Sequence, residues 1–233
     1  MMKWDDSFFA LRWSQKIINY DEKLVVGKKI ASHVKGNEVI GFGSGSTAYV
    51  AIQEIAKRVC DERLDILAIP TSNEIRIVCI SLGIPVASLN DVKPDWCFDG
   101  ADEVDPNNWL IKGRGGAMFN EKLILSNALE SYIIVDNSKL VRRLGQNFPI
   151  PVECVPSGFV SVMSKLYDLG AIDVQLRLAG TAKDGPVITE NGNYILDTKF
   201  DEVKQSSESD IKSIIGVIES GLFIGYDVKI VKV

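Results

Sequence analysis

From residue 21 to residue 136, short apolar runs alternate with stretches of helical periodicity, and this alternation limits the fold more than any other feature. "DEKLVVGKKIASHV" (21–34) has helical spacing. "NEVIGFG" (37–43) is a buried-strand pattern and "STAYVAIQEIAKRVC" (46–60) a helix. "LDILAI" (64–69) is a second strand, followed by a helix within 72–82 and short strands near Val86 and at 95–99. "NWLIKG" (108–113) is strand-like, "AMFNEKLILSNAL" (117–129) helical, and "SYIIVD" (131–136) a strand. Continuous apolar strands separated by helices predict a mostly parallel sheet covered on both faces. Such sheets bind ligands in the loops beyond the carboxyl ends of their strands.

The texture changes near Gly145. "FPIPVECVP" is punctuated by proline, which predicts an edge strand or a linker. A helix over 157–169 is followed by "IDVQLRLA" and by "PVITENGNYILDTKF", a hairpin pattern turning at Asn191-Gly192. A helix near 208–219 and the runs "GLFIG" and "DVKIVKV" close the chain. The expected organisation is an α/β domain over 1–145, completed by 221–233, and a smaller α+β lobe over 146–220. The opening twenty residues read as an amphipathic helix with Phe8, Leu11 and Ile18 on its apolar side, and do not resemble a signal peptide.

Several function classes are disfavoured at once. His33 is the only histidine, which excludes a histidine-based triad or a multi-histidine metal site. Cys60, Cys79, Cys97 and Cys154 lack the two-residue spacing of zinc and redox motifs, and are expected as buried thiols in a reducing cytoplasm. A net charge of −5 argues against a general nucleic-acid binder. No apolar run approaches the roughly 20 residues needed to cross a membrane.

Four segments carry chemistry. "GFGSGSTA" (41–48) joins a strand to a helix; its glycines let the backbone approach a ligand, and Ser44, Gly45, Ser46 and Thr47 stand where a helix N-terminus favours phosphate. It lacks the lysine of a P-loop, and Ser46 occupies the third glycine position of the dinucleotide fingerprint. "CFDGADEVD" (97–105) ends an apolar run in Asp99, Asp102, Glu103 and Asp105. A Mg²⁺ site, an acid/base site and a solvated loop are all open readings of it. Asp99, with Gly100, Ala101 and Asp102, is expected at the crevice; Glu103 and Asp105, just before Pro106-Asn107-Asn108, are expected in water. "IKGRGGAMFNEK" (111–122) places Lys112 before the glycine-rich turn of Gly113, Arg114 and Gly115, and Glu121 on the next helix. A lysine there can stabilise an oxyanion, and a glutamate withdrawn from water can act as a base. "VDNSKLVRRLG" (135–145) places Lys139 after another strand.

In order and spacing, "GFGSGSTA", "DGADEVD", "KGRGGAMFNEK" and "DNSKLVRRLG" resemble the ribose-5-phosphate isomerase type A family, from about Glu22 to the end of the chain. "GNYILD" and the terminal "GLF" are similar to that family's second half. The resemblance implies a Rossmann-like domain with an inserted ferredoxin-like α+β lobe, and interconversion of ribose 5-phosphate and ribulose 5-phosphate without cofactor or metal. It also implies a homodimer or homotetramer. The cysteine usage, net charge and apolar run lengths are what predict a cytoplasmic chain that binds neither nucleic acid nor membrane. The resemblance casts Glu121 as the base, with Asp99, Asp102 and Lys112 beside it. Ser44 to Thr47, Asp99 to Asp102, Lys112 to Gly115 and Lys139 become substrate contacts, and Lys23 matches a further basic position. Ser44 replaces a frequent threonine, and Arg114 stands where many members carry glycine. A coenzyme A transferase-like enzyme and a non-catalytic sugar-phosphate sensor are the alternatives.

Overall fold

The computed structural model describes residue 13 and residues 16–233. They fall into two compact units. The first comprises the chain up to Gly100, Asn120–Ser138 and Asp227–Val233; the second comprises Ala101–Phe119 and Lys139–Tyr226. The chain passes between them at Gly100–Ala101, Phe119–Asn120, Ser138–Lys139 and Tyr226–Asp227. Three of these four passages interrupt the segments "DGAD", "AMFNEK" and "DNSK".

The first unit is the parallel α/β body that the alternation predicts. Strands β1 (Glu38–Phe42), β2 (Ile66–Pro70), β3 (Trp96–Asp99), β6 (Glu130–Ile134) and β12 (Lys229–Val231) form one sheet in the order β12-β6-β3-β1-β2. Every neighbouring pair is parallel. Helices α1 (Tyr20–Ala31), α2 (Ser46–Glu62) and α3 (Asn73–Ser81) bury Val26, Ile30, Ala51, Ile52, Ile55 and Ile75 in one core with Ile40, Phe42 and Phe98. α3 has a regular start, with the Ser72 hydroxyl accepting from the Ile75 amide and Glu74 in the first turn. α2 starts differently: Gly45 precedes it, no side chain caps it, and no acid lies in its first turn. Its opening amides are left available to a ligand.

The second unit holds two antiparallel sheets. β7 (Ile150–Cys154), α5 (Phe159–Asp168), β8 (Asp173–Leu176), β9 (Tyr194–Lys199), α6 (Ser207–Lys212) and β10 (Val217–Ser220) follow one another in a β-α-β-β-α-β series. The sheet order β10-β7-β9-β8 makes this the expected ferredoxin-like lobe. β4 (Glu103–Val104), β5 (Leu110–Ile111) and β11 (Leu222–Phe223) form a separate three-stranded sheet. Val152, Cys154, Val162, Leu166, Leu196 and Ile211 are the centre of this unit's core. α4 (Met118–Leu125) begins in the second unit and ends in the first.

Several local expectations need correction. β7 is an interior strand, not an edge or a linker. It tolerates Pro151 because the ladder bond that proline cannot donate is replaced. Gly221 N–H donates to Pro151 O (2.7 Å), while Gly221 O accepts instead from the Lys112 amide (2.9 Å). The turn at Asn191-Gly192 forms, but 187–189 is not a strand, and β9 pairs with β7 and β8 instead. The helix placed over 208–219 stops at Lys212, and Val217–Ser220 is strand β10. Of the closing runs, β12 returns to the first sheet, whereas β11 pairs with β5. Phe8 and Leu11 lie outside the described residues; Ile18 is in a turn and exposed. Cys60 is exposed, unlike Cys79, Cys97 and Cys154.

Candidate active site

In the first unit, the candidate residues gather where β2, β1, β3 and β6 end. Gly43 N–H donates to Phe98 O (2.9 Å), which holds the start of the turn against β3. A Cβ on Gly43 would lie 2.2 Å from the Asp99 carboxylate, so no other residue fits there. Asp99 is buried, and its Oδ1 accepts from the amides of Ser44 (3.1 Å) and Gly100 (2.7 Å). The carboxylate thus has a fixed orientation at the mouth of the 43–47 turn. Ser44 Oγ donates to Ser72 Oγ (2.7 Å) and accepts from the Thr71 hydroxyl (2.7 Å). The hydroxyl at position 44 is therefore anchored from the next strand end.

A basic side chain closes the other side of the turn. Lys23 is buried on α1, and its Nζ donates to Ser46 Oγ at 2.9 Å. Asp136, just beyond β6, lies 3.9 Å from the same ammonium. Burial pushes the Asp136 carboxyl upward. The hydroxyl and amide of Ser138, the Asn19 amide and the Lys23 charge more than offset it, and the group titrates below the ordinary carboxylate value. Two hydroxyls, uncapped amides and a fixed ammonium are the chemistry of a phosphate cradle.

Glu121 reaches this unit on the first turn of α4. Gly41 makes room for that helix, since a Cβ there would lie 2.5 Å from Ile124 Cγ2 and 2.6 Å from Cys97 Cβ. Ile124 and Glu121 are three apart and share a helix face. Glu121 is accordingly 7% exposed, unlike the surface glutamate that an arbitrary helix would carry.

In the second unit, Asp102 Oδ2 accepts from the Arg114 amide (3.0 Å), and the Asp102 amide donates to Ile111 O (2.8 Å). "DGAD" and "KGRG" are therefore tied together through one carboxylate. Lys112 is 3% exposed, with its Nζ 5.8 Å from the centre of the Phe223 ring. Gly116 N–H closes the glycine turn onto Gly113 O (3.0 Å). Arg114 and Gly115 are exposed; Lys139 is half-buried, its Nζ 4.9 Å from the Phe148 ring centre.

Glu103 and Asp105 are not in water. Glu103 is fully buried and accepts from the amides of Gly145 (2.7 Å), Asn147 (2.5 Å) and Phe148 (2.9 Å). Asp105 is buried too, with Oδ1 accepting from the amides of Asn107 and Trp109 (2.9 Å each). Their charges are stabilised by backbone donors, not by solvent. Among the described residues, no group of three or more His, Cys, Asp or Glu forms a metal site.

A family model, that of ribose 5-phosphate isomerase A (phosphoriboisomerase A), matches residues 67–232. The chain is 43% identical over 212 residues to the ribose-5-phosphate isomerase A of Methanocaldococcus jannaschii, covering 90% of this chain and 92% of that protein. The chain belongs to the ribose 5-phosphate isomerase A family. A Thermosynechococcus vestitus member is 43% identical over 206 residues, covering 87% of this chain and 86% of its own. The solved isomerase from M. jannaschii matches with a TM-score of 0.87 at 42% identity, over 91% of this chain and 95% of that one. A second solved isomerase, in complex with phospho-erythronic acid, matches with a TM-score of 0.86 at 37% identity, over 93% and 95%. The resemblance carried by the four segments is borne out, and neither the transferase nor the sensor alternative finds support.

Some supporting residues of this family member were not singled out by sequence. Thr71 and Ser72 carried a usable signal, since they stand at a strand-to-helix junction like the 43–47 turn. Asp136 did as well, as the residue ending "SYIIVD". Gly221 and Arg177 carried none, because Gly221 O meets the Lys112 amide 109 positions away and Arg177 meets the carbonyls of Gly113 and Arg114, 64 and 63 positions away.

Proposed function

We propose that the chain interconverts D-ribose 5-phosphate and D-ribulose 5-phosphate through an enediolate, with Glu121 as the base that carries the proton between C2 and C1. The observation that carries this reading is the burial of Glu121 on the opening turn of α4. With one histidine in the chain, which is exposed, the base has to come from another residue type. A carboxylate held out of water is suited to taking a proton from carbon.

The remaining groups divide the work. The 44–47 turn, the α2 N-terminus and Lys23 bind the phosphate; the phosphorylated acid bound by a solved relative supports a ligand of this class. Asp99 and Asp102, each oriented by backbone amides, hold the sugar hydroxyls and assist proton transfer as the furanose ring opens. Lys112 offsets the charge that develops on the enediolate oxygens, an interaction strongest in the transition state. Gly113, Arg114 and Gly115 line the approach, and Lys139 complements an anionic group. The proposal extends to a homodimer or homotetramer, as the resemblance to the family implies, in the cytoplasm.

The test is a coupled assay on ribose 5-phosphate with purified protein, with and without chelator, alongside Glu121→Gln. Turnover that survives chelation and falls about 10²–10⁴-fold in the variant, with substrate binding retained by calorimetry, is the expected result. Near-normal turnover in Glu121→Gln would remove the base from the scheme.

A further inference from the structure

The turn that follows Lys112 is gripped by a side chain far along the chain. Arg177 Nη1 donates to Gly113 O and to Arg114 O, both at 2.9 Å. Its Nε and Nη2 both donate to one carboxylate: Nε to Asp197 Oδ2 at 2.9 Å and Nη2 to Asp197 Oδ1 at 2.5 Å. The pair is largely sheltered, with side chains 17% and 23% exposed. Asp197 belongs to β9, and Arg177, just past β8, donates its own amide to Ile195 O (2.9 Å). Both ends of the clamp are thus mounted on the four-stranded sheet.

We infer that Arg177 and Asp197 are positioning residues for the isomerase reaction, holding the 112–116 turn so that Lys112 keeps a single orientation. The inference rests on the role proposed above for Lys112. The chemistry favours a guanidinium. One planar group must bridge two successive carbonyls and meet a carboxylate with two parallel N–H bonds, which an ammonium cannot do. Asp102 accepts the Arg114 amide. The peptide plane next to Arg114 is therefore held at its carbonyl by Arg177, and the preceding one at the Arg114 nitrogen by Asp102. The Lys112 amide is held by Gly221 O. Without the clamp, the segment from Gly113 to Gly115 keeps the Asp102 bond to the Arg114 amide and its short internal bond but loses its hold at two successive carbonyls, and glycines give it freedom to drift. A displacement of about 1 Å in a catalytic group costs on the order of 10²-fold in rate.

The experiment is a double-mutant cycle in the intact protein, measuring kcat and KM for ribose 5-phosphate with folding checked by circular dichroism. Arg177→Met is expected to lower kcat roughly 10- to 100-fold with a much smaller change in KM. Arg177→Lys should recover only part of that loss. Asp197→Asn serves as a second, milder variant should Arg177→Met fold poorly. In a Lys112→Ala background, the Arg177 substitution should add less than about a twofold further loss, because the group it positions is gone. An equal loss in both backgrounds overturns the inference, since the clamp would then act elsewhere. A crippled Lys112→Ala beside normal Arg177 and Asp197 variants overturns the clamp alone. A Lys112→Ala protein with normal kcat overturns the role of Lys112, and the clamp falls with it.

Discussion

Gly221 lies against Lys112 so closely that a Cβ on the glycine would be 2.1 Å from the Lys112 carbonyl oxygen and 2.7 Å from Pro151 Cδ. The Lys112 amide in turn donates to Gly221 O at 2.9 Å. The backbone that presents the lysine is therefore fixed by the point where the four-stranded sheet hands over to β11. Gly221→Ala should displace Lys112 as well as strain the fold. We expect a destabilisation of about 1–3 kcal/mol in urea titration. We also expect a fall in kcat that persists under conditions where the variant is fully folded. A variant with lowered stability but wild-type kcat would show that the close approach serves folding alone.

Glu103 supports the same unit by a different route. Its carboxylate accepts three backbone amides from Gly145, Asn147 and Phe148, in a setting with no exposure to water. Glu103→Ala strands those donors, at about 1–3 kcal/mol for each that water cannot reach. The expected outcome is a loss on the order of 3 kcal/mol or more by denaturant titration. Glu103→Gln, which keeps one acceptor oxygen, should lie between the variant and the wild type. A Glu103→Ala protein of unchanged stability would mean the amides find other partners.

What the sequence disclosed and what it hid follow the range of the interactions. β1, β3 and β6 were legible because a parallel strand buried on both faces is apolar along its length, whatever its neighbours. The 43–47 turn and the placement of Asp99 followed from chain order. β4 and β5, two residues each, exist by pairing with one another and with β11, and no local pattern specifies that. Pro151 signalled an edge, but the donor it lacks is supplied to Gly221 O by Lys112. Glu103 and Asp105 read as solvated because carboxylates usually are, and for Glu103 the partners that reverse this lie some forty residues away. The candidate residues themselves were found by their segments; the residues that hold them in place were found only in three dimensions.

Asp136 gives a pH dependence with a definite sign. Its carboxyl titrates below the ordinary value: burial opposes this, and the Ser138, Asn19 and Lys23 contacts prevail. A depressed folded value means the stabilisation is present above the unfolded carboxyl range, near pH 4, and is lost as pH falls through the folded value. Asp136→Asn should cost on the order of 1–3 kcal/mol at pH 7. The gap between wild type and variant in urea midpoint should narrow steadily as the pH is lowered from 5 to 2. A gap that stays constant over that range would contradict the assignment.

The cysteines separate cleanly by environment. Burial pushes the Cys79 thiol up to about 12, and burial with the Glu153 charge pushes Cys154 to about 11. Cys97 is buried with its Sγ 3.3 Å from Ser131 Oγ, while Cys60 is exposed on α2. The thiolate is the reactive form, so at pH 8 iodoacetamide should modify Cys60 in the native protein and spare the other three. Mass spectrometry of peptides from native and urea-denatured samples reads this directly. The same shifts act on stability. A folded thiol that stays protonated while the unfolded one ionises makes stability fall as pH rises from about 9 towards 12, the reverse of the Asp136 dependence. Rapid native labelling of Cys79 or Cys154 at pH 8 would show that the core around them opens far more readily than its burial implies.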